Sequence, residues 1–136
     1  MNKEILIKQI QKHEGLRLKP YRCSAGKLSI GYGRNLDDVG ISQSEACMLL
    51  SNDLHKCIKQ CEELYCFDKL NDIRQNVLVN MCFNLGIVGL KRFVKFLRAL
   101  ELGDYETASI EMLDSLWSKQ VKGRSKHLAK TMREGK

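Results

Sequence analysis

Glu14, Cys23 and Ser29 carry side chains that could do chemistry, and they are spaced nine and then six positions apart. A carboxyl group can protonate a departing oxygen. A thiol and a hydroxyl on the segment that follows can hold or activate a water. Glycoside hydrolysis has these two needs, a proton for the leaving group and a positioned water or nucleophile. Glu14 is the only acidic residue from position 5 through position 36. To act as an acid near neutrality, a carboxyl with a reference pKa of about 4.3 must be kept protonated by desolvation. Lys19, Arg22 and Lys27 stand around Cys23 in the chain, and cations favour the thiolate.

These residues need elements to hold them. Ile5, Leu6, Gln9, Ile10 and His13 have helical spacing, which predicts a helix over about 2–13 with Glu14 at its end. Gly15 can adopt the positive φ that closes it. Leu16, Leu18, Tyr21, Leu28, Ile30 and Tyr32 break that period and predict two short strands around a turn at Ser24–Lys27. Pro20 places the first strand at a sheet edge. Gly31 and Gly33 permit either a bend or a close approach of backbone to a ligand.

From residue 42 the pattern is helical. Ser42-Gln43-Ser44-Glu45 is a capping box. Ala46, Leu49, Leu50, Leu54, Ile58 and Cys61 continue one long helix to about Glu63. Ile73, Val77, Leu78, Met81, Cys82 and Leu85 predict a strongly apolar helix ending near Gly86, at the centre of the core. Helices near 90–100, 104–114 and 124–134 follow, separated by Gly103, the Trp117 region and Gly123. The result is an α+β plan, mostly helical, with a small N-terminal β-hairpin lobe joined by a long helix to a helical C-terminal lobe. We expect a single domain over 1–136, with the hairpin lobe at about 14–40 and the helical lobe at about 64–136.

A 136-residue chain with 43% hydrophobic and 29% charged residues has the composition of a globular domain. Its net charge of +7 favours polyanionic partners such as nucleic acid, anionic lipid or a carboxylate-bearing wall. The cations are densest from Lys119 to Arg133, which reads first as a solvated helix face. No secretory signal is visible, because Lys8 interrupts Ile5-Leu6-Ile7. No segment reaches the roughly 20 apolar residues of a membrane span. Synthesis and retention in the cytoplasm are therefore expected. The six cysteines read as mostly reduced. His55, Cys57, Cys61 and Cys66 lack the C-x-x-C pair of a zinc site, so no metal is expected.

The spacing of Glu14, Cys23 and Ser29, followed by Ile30-Gly31-Tyr32-Gly33, resembles the signature of the phage-type lysozymes, the endolysins of the T4 lysozyme kind. That signature is Glu, eight residues, Asp or Cys, five residues, Thr. Asn80-Met81-Cys82-Phe83-Asn84-Leu85-Gly86 is similar to the end of the family's central helix, and Trp117 followed by Arg124 is also similar. The resemblance thus covers most of the chain. It implies a muramidase that cuts the β-1,4 bond between N-acetylmuramic acid and N-acetylglucosamine in peptidoglycan, with inversion and without a cofactor. It implies Glu14 as general acid, with Cys23 and Ser29 placing the water. Tyr32, Phe83, Asn84 and Arg124 would serve substrate binding, with Arg124 matching an arginine near the catalytic glutamate.

A monomer is expected, with peptidoglycan as partner, no nucleic acid and no stable membrane insertion. A phage lysis enzyme would accumulate in the host cytoplasm and act on the wall after release. The chain departs from the pattern in two places. Ser29 replaces threonine and lacks the methyl that restricts its rotamer. Arg34 stands where the T4-type relative has histidine, and Asp53 matches that histidine's acidic partner, so an Arg34–Asp53 ion pair is expected. The alternatives are a peptidoglycan-binding module impaired in catalysis by Cys23 and Ser29, and a basic helical nucleic-acid binder built on Lys119–Arg133.

Overall fold

Asn2 starts the first helix, α1 (Lys3–Glu14), by accepting the Ile5 backbone N–H on its side chain at 3.1 Å. This satisfies one of the N–H groups that a helix start leaves unpaired. The computed structural model describes all 136 residues. Gly15 ends α1 at φ +70°, donating its N–H to Gln11 at 2.9 Å. Strands β1 (Arg17–Arg22), β2 (Leu28–Gly31) and β3 (Arg34–Asn35) then form an antiparallel sheet in the order β1-β2-β3. Pro20 lies on an edge strand, as expected. The sequence predicted two strands; the third has only two residues, too few to show an alternating pattern.

Ser42 and Glu45 form the predicted capping box. The Ser42 hydroxyl accepts the Glu45 N–H at 3.2 Å, and the Glu45 carboxylate accepts the Ser42 N–H at 3.3 Å. Helix α2 (Gln43–Glu62) follows. Arg34 does not take Asp53 as its partner; it pairs with Glu45 at 2.7 Å and also donates to the Gly40 carbonyl. Glu45 lies in the first turn of α2, already turned back by its bond to Ser42, and so meets the arginine.

A 3-10 turn at Phe67–Lys69 leads to α3 (Asp72–Lys91), capped by the Asn71 side chain on the Arg74 N–H. Gly86 (φ +76°, ψ +158°) is not helical: the first stretch of α3 ends there, as expected, and a second, short helical stretch follows it to Lys91. Then come α4 (Val94–Glu101), α5 (Tyr105–Leu113), α6 (Leu116–Gln120) and α7 (Lys122–Glu134). Trp117 lies inside the short α6, and Gly123 lies inside α7 where a separator was expected.

The chain divides into two compact units, Met1–Met48 and Leu49–Lys136, with the boundary inside α2. Every buried apolar side chain belongs to the second unit. Leu78 and Met81 from α3, Phe96 and Leu100 from α4, Met112 from α5 and Met132 from α7 are fully enclosed there. Arg74 ties this unit together. Its guanidinium donates to the carbonyls of Met132 and Arg133 at 2.7 and 3.0 Å and stacks 3.5 Å from the centre of the Tyr105 ring. It thereby satisfies carbonyls that the end of α7 leaves open. No single helix is long and apolar enough to cross a membrane.

Candidate active site

Glu14 is the last residue of α1, and its carboxylate reaches the two-residue loop Tyr32-Gly33 between β2 and β3. A Cβ at Gly33 would lie 2.8 Å from Glu14 Oε2. Gly33 also has φ +79°, a region that side chains other than glycine rarely enter. Both the conformation and the space at position 33 therefore call for glycine. Of the two roles the sequence left open for it, the structure shows the bend, a turn between β2 and β3, and adds a close approach to a side chain of this chain. Tyr32, between two glycines of positive φ, is exposed.

Cys23 stands at the neck of the β1–β2 hairpin. Its carbonyl accepts the Gly26 N–H at 2.8 Å, and its own N–H donates to the Lys27 carbonyl at 2.9 Å. The turn therefore begins at Cys23, one residue earlier than the sequence suggested. Ser29 pairs with Tyr21 across the hairpin and is 3% exposed, the only buried residue in the first unit. Its hydroxyl lies 3.3 Å from the Lys27 carbonyl, and its one proton can turn to that oxygen or to the Cys23 sulfur. The hairpin brings the hydroxyl and the thiol together. The Cys23 thiol is held below its ordinary pKa by hydrogen bonds from the backbone of Lys27 and then Ala25, with the Ser29 hydroxyl adding in the same direction. Partial desolvation opposes them. Hydrogen bonds donated to sulfur stabilise the thiolate over the thiol. The sequence pointed to the charges of Lys19, Arg22 and Lys27 as the cause; the lowering comes instead from the backbone of the turn and the Ser29 hydroxyl.

In the second unit, Phe83 and Arg124 line one groove of about 450 Å³ with Leu50, Leu54, Ile58, Asn76, Val79 and Asn80. Arg124 is held there by Asn80. Its Nε and Nη2 donate to Asn80 Oδ1 at 2.9 and 2.6 Å, and Nη2 reaches the Asn80 carbonyl at 3.3 Å. This leaves Nη1 with no protein acceptor. Asn80 was not singled out as a site residue; only its place in the Asn80–Gly86 segment pointed to it. Asn84 does not line this groove. Its Oδ1 accepts the Trp117 indole N–H at 2.6 Å, which fixes the amide and leaves its NH₂ free on an exposed side chain. Trp117 is itself wedged edge-on against Phe93.

All six cysteines are free thiols. Cys57 and Cys61 share a helical face, as their spacing predicts, and Cys82 of α3 lies against that face. Burial pushes the thiols of Cys57, Cys61 and Cys66 up, with Cys82 adding to the first two.

The family model for phage lysozyme matches residues 11–134. An endolysin of Acyrthosiphon pisum secondary endosymbiont phage 1 is 32% identical over 120 residues, covering 85% of this chain and 79% of that protein. The pre-baseplate central spike protein of Enterobacteria phage T4 is 30% identical over 88% of this chain, a match that spans 26% of the spike protein. A probable T4-type lysozyme of Dictyostelium discoideum is 26% identical over 90% of this chain and 89% of its own length.

Proposed function

The chain belongs to the phage lysozyme family, and from that premise we propose that it hydrolyses the β-1,4 bond between N-acetylmuramic acid and N-acetylglucosamine in peptidoglycan, with inversion at the anomeric carbon. The family makes it a lysozyme-type hydrolase. The observation that carries the finer reading is the arrangement in the first unit: a carboxylate seated on the Tyr32-Gly33 loop, and a thiol of lowered pKa beside a buried hydroxyl on the same small sheet.

In this mechanism Glu14 gives its proton to the glycosidic oxygen as the bond to the anomeric carbon breaks. Water attacks the opposite face of the sugar, which is the geometry that inverts. The Cys23 thiolate takes the water's proton, and the Ser29 hydroxyl orients the thiolate. Glu14 acts in its protonated form, and sugar filling the site excludes water from around the reacting bond. Tyr32 offers a ring and a phenol to sugar. Phe83 packs against the sugar chain, the Asn84 amide donates to its oxygens, and Arg124 Nη1 takes a carbonyl or carboxylate. The protein is made in the host cytoplasm and reaches the wall through a separately encoded membrane lesion.

Glu14→Gln keeps the size of the side chain and removes the acidic proton. On purified peptidoglycan it should release reducing ends about 10²–10⁴-fold more slowly than wild type, the usual worth of a general acid. Its melting temperature should be unchanged, because Glu14 is exposed. An undiminished rate would end the assignment. Wall binding by the wild type with no release of reducing ends would identify a binding module. Resolving the anomer released first tests inversion separately.

A further inference from the structure

We propose that the exposed face of α7, with the adjoining corner of α6, is a docking surface for a phosphodiester-linked polymer of the cell envelope. Residues 119–136 hold seven of the 23 lysines and arginines but only one of the 16 acids, Glu134. That segment therefore carries a net +6 within a chain total of +7. Lys122, Lys126, Lys130 and Arg133 follow one another at helical intervals and are all exposed. At 100° per residue they fall within an arc of about 80° and extend about 16 Å along the axis. None of them is in an ion pair.

This arrangement works against the helix. Like charges four residues apart repel, and cations in the first turn oppose the helix dipole. Opposite charge along the same line would relieve both effects. A concavity of about 330 Å³ at the start of the stripe is lined by Lys119, Lys122 and Lys126 with Ser118 and Ser125, and no carboxylate enters it. The two serine hydroxyls, 2.9 Å apart, are buried. Three ammonium groups without a counter-ion around one hollow fit a phosphate group.

The surroundings of the stripe favour one kind of polyanion. Leu128, Ala129 and Met132 of α7 are buried, and no large apolar side chain after Leu116 is exposed. The helix therefore lacks the free apolar face with which interfacial helices enter a bilayer. Trp117 is buried and the stripe has no aromatic residue, so there is no platform for stacking bases. What is left is a line of cations about 6 Å apart along the helix, matched to a flexible chain of phosphates. The choice of a wall polymer rests on the proposed muramidase activity; the existence of the docking surface does not.

The test is sedimentation of the full chain with purified walls that carry polyol-phosphate polymer, and with the same walls after acid cleavage of the phosphodiesters. It is run in the Glu14→Gln background, so that failed docking and failed hydrolysis are distinguishable. Binding should fall at least tenfold on stripped walls. It should fall similarly in Lys122→Gln/Lys126→Gln/Lys130→Gln/Arg133→Gln, with the log–log salt slope shallower by about 3, at about 0.7 for each phosphate no longer neutralised. Lys56→Gln/Lys59→Gln/Lys91→Gln/Lys95→Gln removes the same charge elsewhere and should change binding less than threefold. Equal binding to stripped walls, equal loss in the two variants, or tighter binding to phosphatidylglycerol vesicles or a single-stranded DNA oligomer would overturn the proposal. The comparison of the two walls needs no substitution in the stripe, so misfolding of the quadruple variants cannot mask the result.

Discussion

The first 48 residues bury only Ser29, whereas the second unit encloses every buried apolar side chain of the chain. The ion pairs divide the other way: Arg22–Asp37, Lys27–Asp38 and Arg34–Glu45 all lie in the first unit. One unit is thus held by short-range polar contacts and glycine turns, the other by an apolar core of helices. Exposed ion pairs stabilise by about 0–1 kcal/mol each, and a buried leucine or phenylalanine contributes about 1.5–3 kcal/mol. The proposed catalytic side chains therefore sit on the unit with less to hold it. Local opening is expected to follow the same division, since segments with little buried apolar surface open at lower free energy.

Leu78→Ala tests this division most strongly. Leu78 is fully buried, so its truncation should cost about 2–5 kcal/mol in urea unfolding, from lost transfer energy and the cavity left behind. Leu18 on β1 is 80% exposed, and Leu18→Ala should stay within about 0.5 kcal/mol. Similar losses at the two positions would break the comparison.

Gly33→Ala is next in size and should act on the site more than on the fold. Alanine at φ +79° costs about 1–2 kcal/mol. Its Cβ would also displace the Glu14 carboxylate, 2.8 Å away. We expect hydrolysis to fall at least tenfold at temperatures where the variant is fully folded. Gly26→Ala, also at positive φ but with no atom near its Cβ, is the control for strain alone. Equal activity in the two variants would separate Gly33 from the site.

The difference between the units also explains what could be read in advance. Helical periods over α2 and the first part of α3, the Ser42–Glu45 box and the edge position of Pro20 are local signals, and the structure has them all. The apolar core followed from Val77, Leu78, Met81 and Cys82 for the same reason. Contacts made by reach across the chain were harder. The sequence pointed Arg34 to Asp53, and only the direction in which the capping box turns Glu45 supplies the partner it has. Asn84 and Trp117 are 33 residues apart, and nothing in their spacing says that an amide oxygen meets an indole. The burial of Ser29 was equally hidden, because one serine in a short strand carries no pattern.

Glu45 gives a smaller prediction, confined to acid. The Arg34 guanidinium, and then the Ser42 hydroxyl and N–H, hold its carboxyl below the usual range. A depressed folded pKa contributes stability above the unfolded value, about 4.3, and loses it as pH falls through the folded value. Glu45→Gln should therefore lower the melting temperature slightly at pH 7 and flatten its decline below about pH 4. A parallel shift at every pH would mean that the ion pair has no linkage to folding.

The smallest effect concerns the Cys23 thiol, and it sharpens the comparison at the level of one functional group. Backbone hydrogen bonds at the hairpin neck lower its pKa, whereas burial raises those of Cys57, Cys61 and Cys66 in the helical unit. Near neutral pH iodoacetamide should therefore modify Cys23 well ahead of those three, because the thiolate is the nucleophile. Ser29→Ala removes one of the hydrogen bonds that lower the Cys23 pKa, so the pH midpoint of Cys23 alkylation should move upward. The backbone of Lys27 and Ala25 contributes more, so the move should be only part of the total shift. If the thiolate takes the proton from water, the lower arm of the pH–rate profile should move in the same direction. Alkylation should stop hydrolysis in wild type and spare Cys23→Asp, which supplies a carboxylate at the same place. Full modification of Cys23 with hydrolysis undiminished would detach the thiol from the reaction and leave the turn as its only role.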